Sequence, residues 1–237
     1  YQGDLQKNSG LGTSSAFCVG LFNTLYNIEK KKVSKKKLSL NAIHVEQKML
    51  KENCGSQDQI WAAYGGFNII KFNKDGKFFV YPIKKSKKNL NKLDKNMFLV
   101  YTGINRFSEN IEKDKIKNID KNFKNLDKIN YITNTFIKEM GSNFTIDLCG
   151  DLMNEYWDIK KRLSTKVTNP FINELYKEGL NNGAIGGKII GSGGGGFLLF
   201  CCKKNKQKKF FNGFKKLPII KFNFTDTGSE IIFRNNW

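Results

Sequence analysis

Lys188-Ile189-Ile190-Gly191-Ser192-Gly193-Gly194-Gly195-Gly196-Phe197-Leu198-Leu199-Phe200 sets four consecutive glycines between two apolar runs. Each glycine costs backbone entropy and gives the core no side chain. In return it provides bare backbone that approaches another group closely and turns at positive φ. A second glycine-rich stretch, Gly10-Leu11-Gly12-Thr13-Ser14-Ser15-Ala16, runs straight into a helical apolar pattern. Backbone N–H groups opening a helix form a ready anion site, most often for phosphate. One such loop reads equally well as a tight turn. Two, each set against a regular element, point to nucleotide binding.

The rest of the chain narrows the choice. With 237 residues, 39% of them hydrophobic and 20 phenylalanines, the sequence supports a real core and one or two domains. The longest apolar run, Phe197 to Cys202, is far too short to span a bilayer. No signal peptide is evident, and a cytoplasmic, non-membrane protein is expected. The net charge of +20 suggests nucleic acid at first sight. Only Arg106, Arg162 and Arg234 are arginines, however, and the lysines are scattered among asparagines. Such charge reads as solvated surface, and no nucleic-acid partner is expected. Cys18, Cys54, Cys149, Cys201 and Cys202 contain no C-x-x-C pair and read as small buried hydrophobes in a reducing compartment.

Apolar spacing predicts helices over Thr13–Tyr26, Ser34–Lys51 and Gln57–Ala63. Asp75-Gly76 between Phe67–Phe72 and Lys77–Ile83 is a hairpin signal. The Lys/Ser/Asn-rich stretch Lys84–Lys95 reads as a linker, and Asp114–Asn130 as a solvated helix or mobile loop. Beyond Phe98–Tyr101, helices are expected at Tyr131–Met140, Thr145–Leu163, Pro170–Asn181 and Lys206–Lys215. A strand or turn is expected at Ile185–Ile190, and strands at Phe197–Cys202, Ile219–Phe224 and Glu230–Phe233. The second half is thus an α+β sandwich, helices on a mostly antiparallel sheet.

Neither loop is a Walker A motif, because no Gly-Lys-[Ser/Thr] follows. Three stretches taken together instead resemble the GHMP small-molecule kinases. Gly10–Ala16 resembles their second motif and Gly191–Phe197 their third. Gly55-Ser56-Gln57-Asp58-Gln59 resembles the segment that carries the catalytic Asp of the sugar-kinase members, among which the likeness is to the heptose 7-phosphate kinases. The resemblance implies an α+β, two-lobed GHMP-kinase-like fold. Residues 1–90 would form an incomplete N-terminal, ATP-binding domain of the ribosomal protein S5 domain 2-like type. Residues 91–237 would form a ferredoxin-like α/β sandwich. The family's opening P-x-R-x-x-F-x-G-G-G-T-D stretch is not in the sequence, so an N-terminally incomplete chain is expected. Gln6-Lys7-Asn8 stands where the family usually has Pro and Gly.

The resemblance further implies ATP and Mg²⁺ as cofactors and a sugar or sugar-phosphate substrate. The acceptor would be the anomeric hydroxyl of D-glycero-D-manno-heptose 7-phosphate. Fucose, galactose or a non-catalytic nucleotide-binding module are the alternatives. Ser9, Gly10, Leu11, Gly12, Thr13, Ser14 and Ser15, with Gly193, Gly194 and Gly195, would hold ATP. Ser14 and Glu46 would hold Mg²⁺, and Asp58 would be the catalytic base. Arg106 and Gly194 are candidates for substrate contact, with Lys188 and Arg162 behind them. Each has a plainer reading: Thr13 and Ser15 as helix caps, Glu46 as a solvated helix carboxylate, Asp58 as a charge suited to a helix N-terminus. His44 reads as structural or solvated.

Overall fold

The computed structural model describes residues 10–83, 87–105 and 108–233. Ser9, Arg106 and Arg234 lie outside the described residues. The chain forms two compact units. Gly12–Ile83 and residues 224–233 belong to one, while Gly10, Leu11 and the stretch up to Asn223 belong to the other.

The first unit runs α1 (Thr13–Ile28), α2 (Lys35–His44), a π-helical turn (Val45–Met49), α3 (Gln57–Tyr64) and a hairpin of β1 (Asn68–Phe72) and β2 (Phe78–Pro82). Ser34 starts α2 by accepting the Lys37 N–H at 3.2 Å. The expected single helix over Ser34–Lys51 is not continuous. After His44 the chain widens into π geometry, Leu50 N–H donating to Val45 O at 2.9 Å. The hairpin is antiparallel, pairing Asn68 with Pro82 and Phe72 with Phe78. Its turn is held by Asn73 N–H on Lys77 O at 2.8 Å and by Asp75 Oδ1, which accepts the Lys77 N–H at 3.0 Å. Cys18, Val19, Leu38, Ala42 and Ala63 form the buried cluster between the helices. Residues 224–233 join this unit through Ser229 N–H on Ala62 O at 2.9 Å and through Phe67, whose ring meets Phe224 edge-on at 5.4 Å. Glu230–Phe233 was expected as a strand and makes none.

The second unit runs α4 (Lys87–Asn96), β3 (Met97–Tyr101), α5 (Ser108–Lys117), a 3₁₀ turn (Asp120–Asn122), α6 (Phe123–Met140), α7 (Ile146–Leu163), α8 (Pro170–Asn181), β4 (Gly186–Ile189), β5 (Phe197–Cys201), α9 (Gln207–Gly213) and β6 (Ile219–Ile220). The strands order β4-β5-β3-β6, and every pairing is antiparallel. Thr145 and Asn169 cap α7 and α8 by accepting the N–H groups of Leu148 and Ile172, at 3.1 and 2.9 Å. The core gathers Phe98, Val100, Trp157, Ile189, Leu198, Phe200 and Phe210.

One polar stretch departs from expectation. Lys84–Lys95, read as a linker, is helical from Lys87. Leu93 is buried, Asn89 Nδ2 donates to Met140 O at 2.9 Å, and Lys92 Nζ donates to Phe144 O at 3.0 Å. One leucine and two side-chain bonds to backbone order what composition marked as solvated. Asp114–Asn130, read as a solvated helix or mobile loop, is largely helical and mostly exposed, and the buried Asn122 ties it in, its amide reaching Leu163 O at 3.1 Å. The expected strand Ile219–Phe224 shortens to Ile219–Ile220, the only two residues that β3 pairs there. No helix among the described residues is long and apolar enough to cross a membrane.

Candidate active site

The site starts at the N-terminus of α1. Gly12 is the residue before the helix and sits at φ 70, ψ 21. This left-handed conformation suits glycine and turns the chain into the helix without a side-chain cap. The capping position is Gly12, so neither Thr13 nor Ser15 is the cap, and the Ser15 hydroxyl goes to Glu46 instead. The first turn of α1 carries no acidic residue, so its N–H groups and positive dipole end keep their preference for an anion.

Behind the turn stands Glu46, only 2% exposed. The π-helical turn lodges it there, a type of distortion that recurs at functional sites. Ser14 Oγ donates to Glu46 Oε1 at 3.0 Å. Ser15 Oγ donates to Oε2 at 2.9 Å and reaches Oε1 at 3.2 Å. Gln59 Nε2 makes a short hydrogen bond to Oε2. Glu46 is thus no solvated helix carboxylate. Gln47, next to it, donates from Nε2 to Cys54 O at 2.9 Å and Ser56 Oγ at 3.0 Å, fixing the loop that leads into α3. Burial, reinforced by the Glu46 charge, pushes the Cys54 thiol up to about 11. That thiol stays protonated at neutral pH and is no nucleophile.

Asp58 lies in the first turn of α3, exposed. Its carboxylate packs against the α1 turn: a Cβ at Gly12 would sit 3.3 Å from Asp58 Cγ and 3.5 Å from Oδ2. Three separate elements therefore bring Ser14, Glu46 and Asp58 to one end of α1. The donor set suits Mg²⁺, which takes hard oxygens and needs only one or two carboxylates when phosphates supply the rest. The Gln59 side-chain oxygen, buried and without a hydrogen-bond partner, adds an orphaned polar atom beside the carboxylate.

The second glycine loop belongs to the other unit. Gly193 and Gly194 turn at φ 106 and 78. A Cβ on Gly193, Gly194 or Gly195 would approach Val167 O, Ile111 Cδ1 or Ile104 O within 2.6 Å. Gly194 N–H donates to Val167 O at 2.8 Å, and Gly196 N–H to Ile104 O at 2.9 Å. Close packing thus demands these glycines, and two of the N–H groups serve the protein itself. Thr102 braces the loop from below, its backbone and hydroxyl both donating to Gly196 O at 2.9 Å.

Sequence reasoning missed three residues. Gln59 was read only as part of a motif. Thr102 was not singled out. Lys160, 5% exposed, donates from Nζ to Ile189 O at 3.2 Å and to Gly191 O, clamping the start of the loop. Its place on the buried stripe of α7 with Met153 and Trp157 was the available signal, since lysine is rarely buried without a partner. Lys188 Nζ stands 4.3 Å from the Tyr156 ring centroid, and burial pushes its ammonium pKa down. Arg162 is exposed on the last turn of α7, and His44 is exposed at the end of α2. Neither joins the Glu46 cluster.

The fold is thus a two-unit α+β arrangement whose first unit opens a helix on a glycine turn, with a hydroxyl–carboxylate cluster behind it. The family model for the GHMP kinases N-terminal domain matches residues 1–66, and that for the GHMP kinases C-terminal domain matches residues 140–218. Together they take in more than half of the chain, which belongs to the GHMP kinase family. The D-glycero-alpha-D-manno-heptose 7-phosphate kinase of Campylobacter jejuni is 28% identical over 192 residues, 80% of this chain and 56% of that protein. A bifunctional fucokinase/GDP-fucose pyrophosphorylase of Arabidopsis thaliana is 27% identical over 198 residues, 80% of this chain and 18% of its own length. The crystal structure of a D-glycero-D-manno-heptose 1-phosphate kinase from Bacteroides thetaiotaomicron superposes with a TM-score of 0.73 at 22% identity, covering 95% of this chain and 64% of that one. The chain thus spans little more than half the length of the heptose kinase it matches.

Proposed function

We propose that the protein transfers the γ-phosphate of ATP to a hydroxyl of a sugar or sugar phosphate. The observation that carries this reading is the convergence of Ser14, Glu46 and Asp58 at the glycine-opened N-terminus of α1. The backbone around Gly12–Ser15 receives the phosphates of ATP, and the family likeness assigns Ser9, Gly10, Leu11, Gly193, Gly194 and Gly195 to ATP as well. Ser14 Oγ and Glu46 hold Mg²⁺, which when bound neutralises charge on the phosphate oxygens.

Asp58 orients the acceptor hydroxyl and takes its proton as the oxygen attacks the γ-phosphorus. The bond from phosphorus to the β-phosphate oxygen breaks, and ADP leaves with the electron pair. An exposed carboxylate on a rigid first turn suits that role, since its geometry is fixed while the acceptor still reaches it. The favoured acceptor is the anomeric hydroxyl of D-glycero-D-manno-heptose 7-phosphate, supported by the likeness to the Campylobacter jejuni heptose kinase. Arg106 and Gly194 are assigned to the acceptor side, and a cytoplasmic setting accompanies this chemistry. The likeness to a fucokinase keeps fucose as the second candidate, with galactose behind it.

ATP binding is titrated with and without Mg²⁺, followed by ADP release over a panel of heptose 7-phosphate, fucose and galactose. Mg²⁺-dependent ADP release with one sugar supports the reading. Nucleotide binding without ADP release on any sugar would leave a non-catalytic binding module.

A further inference from the structure

We infer that Gln59 is a positioning residue, whose side-chain amide holds the Glu46 carboxylate in the orientation that receives a divalent cation. The inference rests on the metal role proposed above for Glu46. It assigns a purpose to the residue beside the proposed base rather than to the base itself.

Gln59 is fully buried. Its Nε2 donates to Glu46 Oε2 and lies 3.7 Å from Cys54 Sγ, while its Oε1 has no hydrogen-bond partner. A buried amide that satisfies only one end is a poor choice for packing alone, because a leucine or methionine of similar size would bury no orphaned polar atom. The Glu46 contact is what the residue gains in exchange. That carboxylate is itself buried, and among the described residues no lysine or arginine pairs with it. It is held by neutral donors only: Ser14, Ser15 and Gln59. A carboxylate taken out of water without a counter-charge is costly, and an incoming cation relieves that cost.

The donors divide the labour. Ser15 and Gln59, both buried, grip Oε2. Ser14, exposed, meets Oε1. One edge of the carboxylate is thereby fixed inward and the other turned toward the solvent-facing hydroxyl. Gln59 also follows Asp58 directly on the first turn of α3. The same helical turn therefore sets both the base and the metal carboxylate, so a shift of α3 would move them together. Partners of a metal-ligating carboxylate commonly change metal affinity by about 10–100-fold when removed.

The test is Mn²⁺ binding to the purified protein, read by the loss of free-ion EPR signal in the presence of a non-hydrolysable ATP analogue. Wild type is compared with Glu46→Gln, Gln59→Leu and Gln59→Glu, and metal-free nucleotide affinity and melting temperature are measured alongside. Gln59→Leu is expected to weaken Mn²⁺ about 10–100-fold while nucleotide affinity without metal and melting temperature hold. Gln59→Glu removes the amide donor and sets an acceptor against Glu46, so Mn²⁺ affinity is expected to depart from wild type there as well. Wild-type Mn²⁺ affinity in Gln59→Leu, or in Gln59→Glu, overturns the inference even if one variant folds poorly. If Glu46→Gln also binds Mn²⁺ normally, the metal reading itself falls and takes the inference with it.

Discussion

The two units bury their residues in opposite ways. The second closes around large rings: Trp157, Phe200 and Phe210 have no exposure, and Phe200 meets Phe210 edge-on at 5.4 Å. The first buries a smaller set, Cys18, Val19, Leu38, Ala42, Ile60, Ala63 and Phe78, and leaves many large side chains outside. Leu21, Leu25 and Ile28 on α1, Trp61 on α3 and Phe72, Phe79 and Tyr81 on the hairpin are all exposed. Its distinctive buried group is a carboxylate, Glu46. Apolar area removed from water is the main source of stability. The second unit is therefore the more apolar scaffold, while the first gives interior volume to the Glu46 cluster.

Substitutions test that division, beginning with the largest effect. Asp58→Asn should lower kcat by about 10²–10⁴ while ATP binding and melting temperature hold, since general acid–base catalysis is worth that much. Near-normal turnover in an ADP-release assay would remove Asp58 as the base. Trp157→Ala should cost about 3–5 kcal/mol in urea unfolding, the usual cost of deleting a buried ring. Val19→Ala, at an equally buried site in the first unit, should cost only about 2 kcal/mol, from two methyl-sized groups and a small cavity. Equal costs would erase the contrast between the cores.

Glu46→Gln and Ser14→Ala should each raise the Mg²⁺ needed for half-maximal activity by about tenfold and leave far-ultraviolet circular dichroism unchanged. If excess Mg²⁺ rescues neither, the polar cluster serves something other than a metal. The exposed apolar stripe of α1 should make the 237-residue chain self-associate, seen as concentration-dependent sedimentation, and Leu25→Lys should weaken that association. A monomer at every concentration would show that the first unit's surface tolerates its large residues.

The smallest effect concerns pH. Burial pushes the Tyr176 phenol from 10 up to about 12, and its hydroxyl donates to Asn154 Oδ1 at 2.6 Å. A phenol whose folded pKa is raised stabilises the fold fully below its unfolded pKa, and loses that stabilisation as pH climbs through the folded value. Stability should therefore decline between pH 10 and pH 12, and Tyr176→Phe should flatten that limb while losing a hydrogen bond at neutral pH. An alkaline limb equally steep in Tyr176→Phe would assign the titration to another group.

Much of this was legible in the chain. Two glycine loops and the Asp58 segment named the family, and apolar spacing placed α1, α3, α7, α8 and the hairpin close to their observed bounds. What failed had a shared cause. Lys84–Lys95 looked like a linker because its composition is polar, yet Leu93 is buried and Asn89 and Lys92 donate to backbone far along the chain. The π-helical turn was also invisible, since Ser34–Lys51 carries a continuous helical apolar stripe and the widening comes from where the backbone must deliver Glu46 and Gln47.

The sequence by itself determined the helix starts, the hairpin and the identity of the two glycine loops, because each depends on residues within a few positions of one another. Only the tertiary structure decided which side chains work as a group. It showed that Ser14, Ser15 and Gln59 converge on Glu46, that Lys160 clamps Gly191, and that close packing against Val167, Ile111 and Ile104 demands the glycines of the second loop. Hydrogen bonds and steric exclusion act between atoms brought together by the fold, and spacing along a chain does not encode that distance.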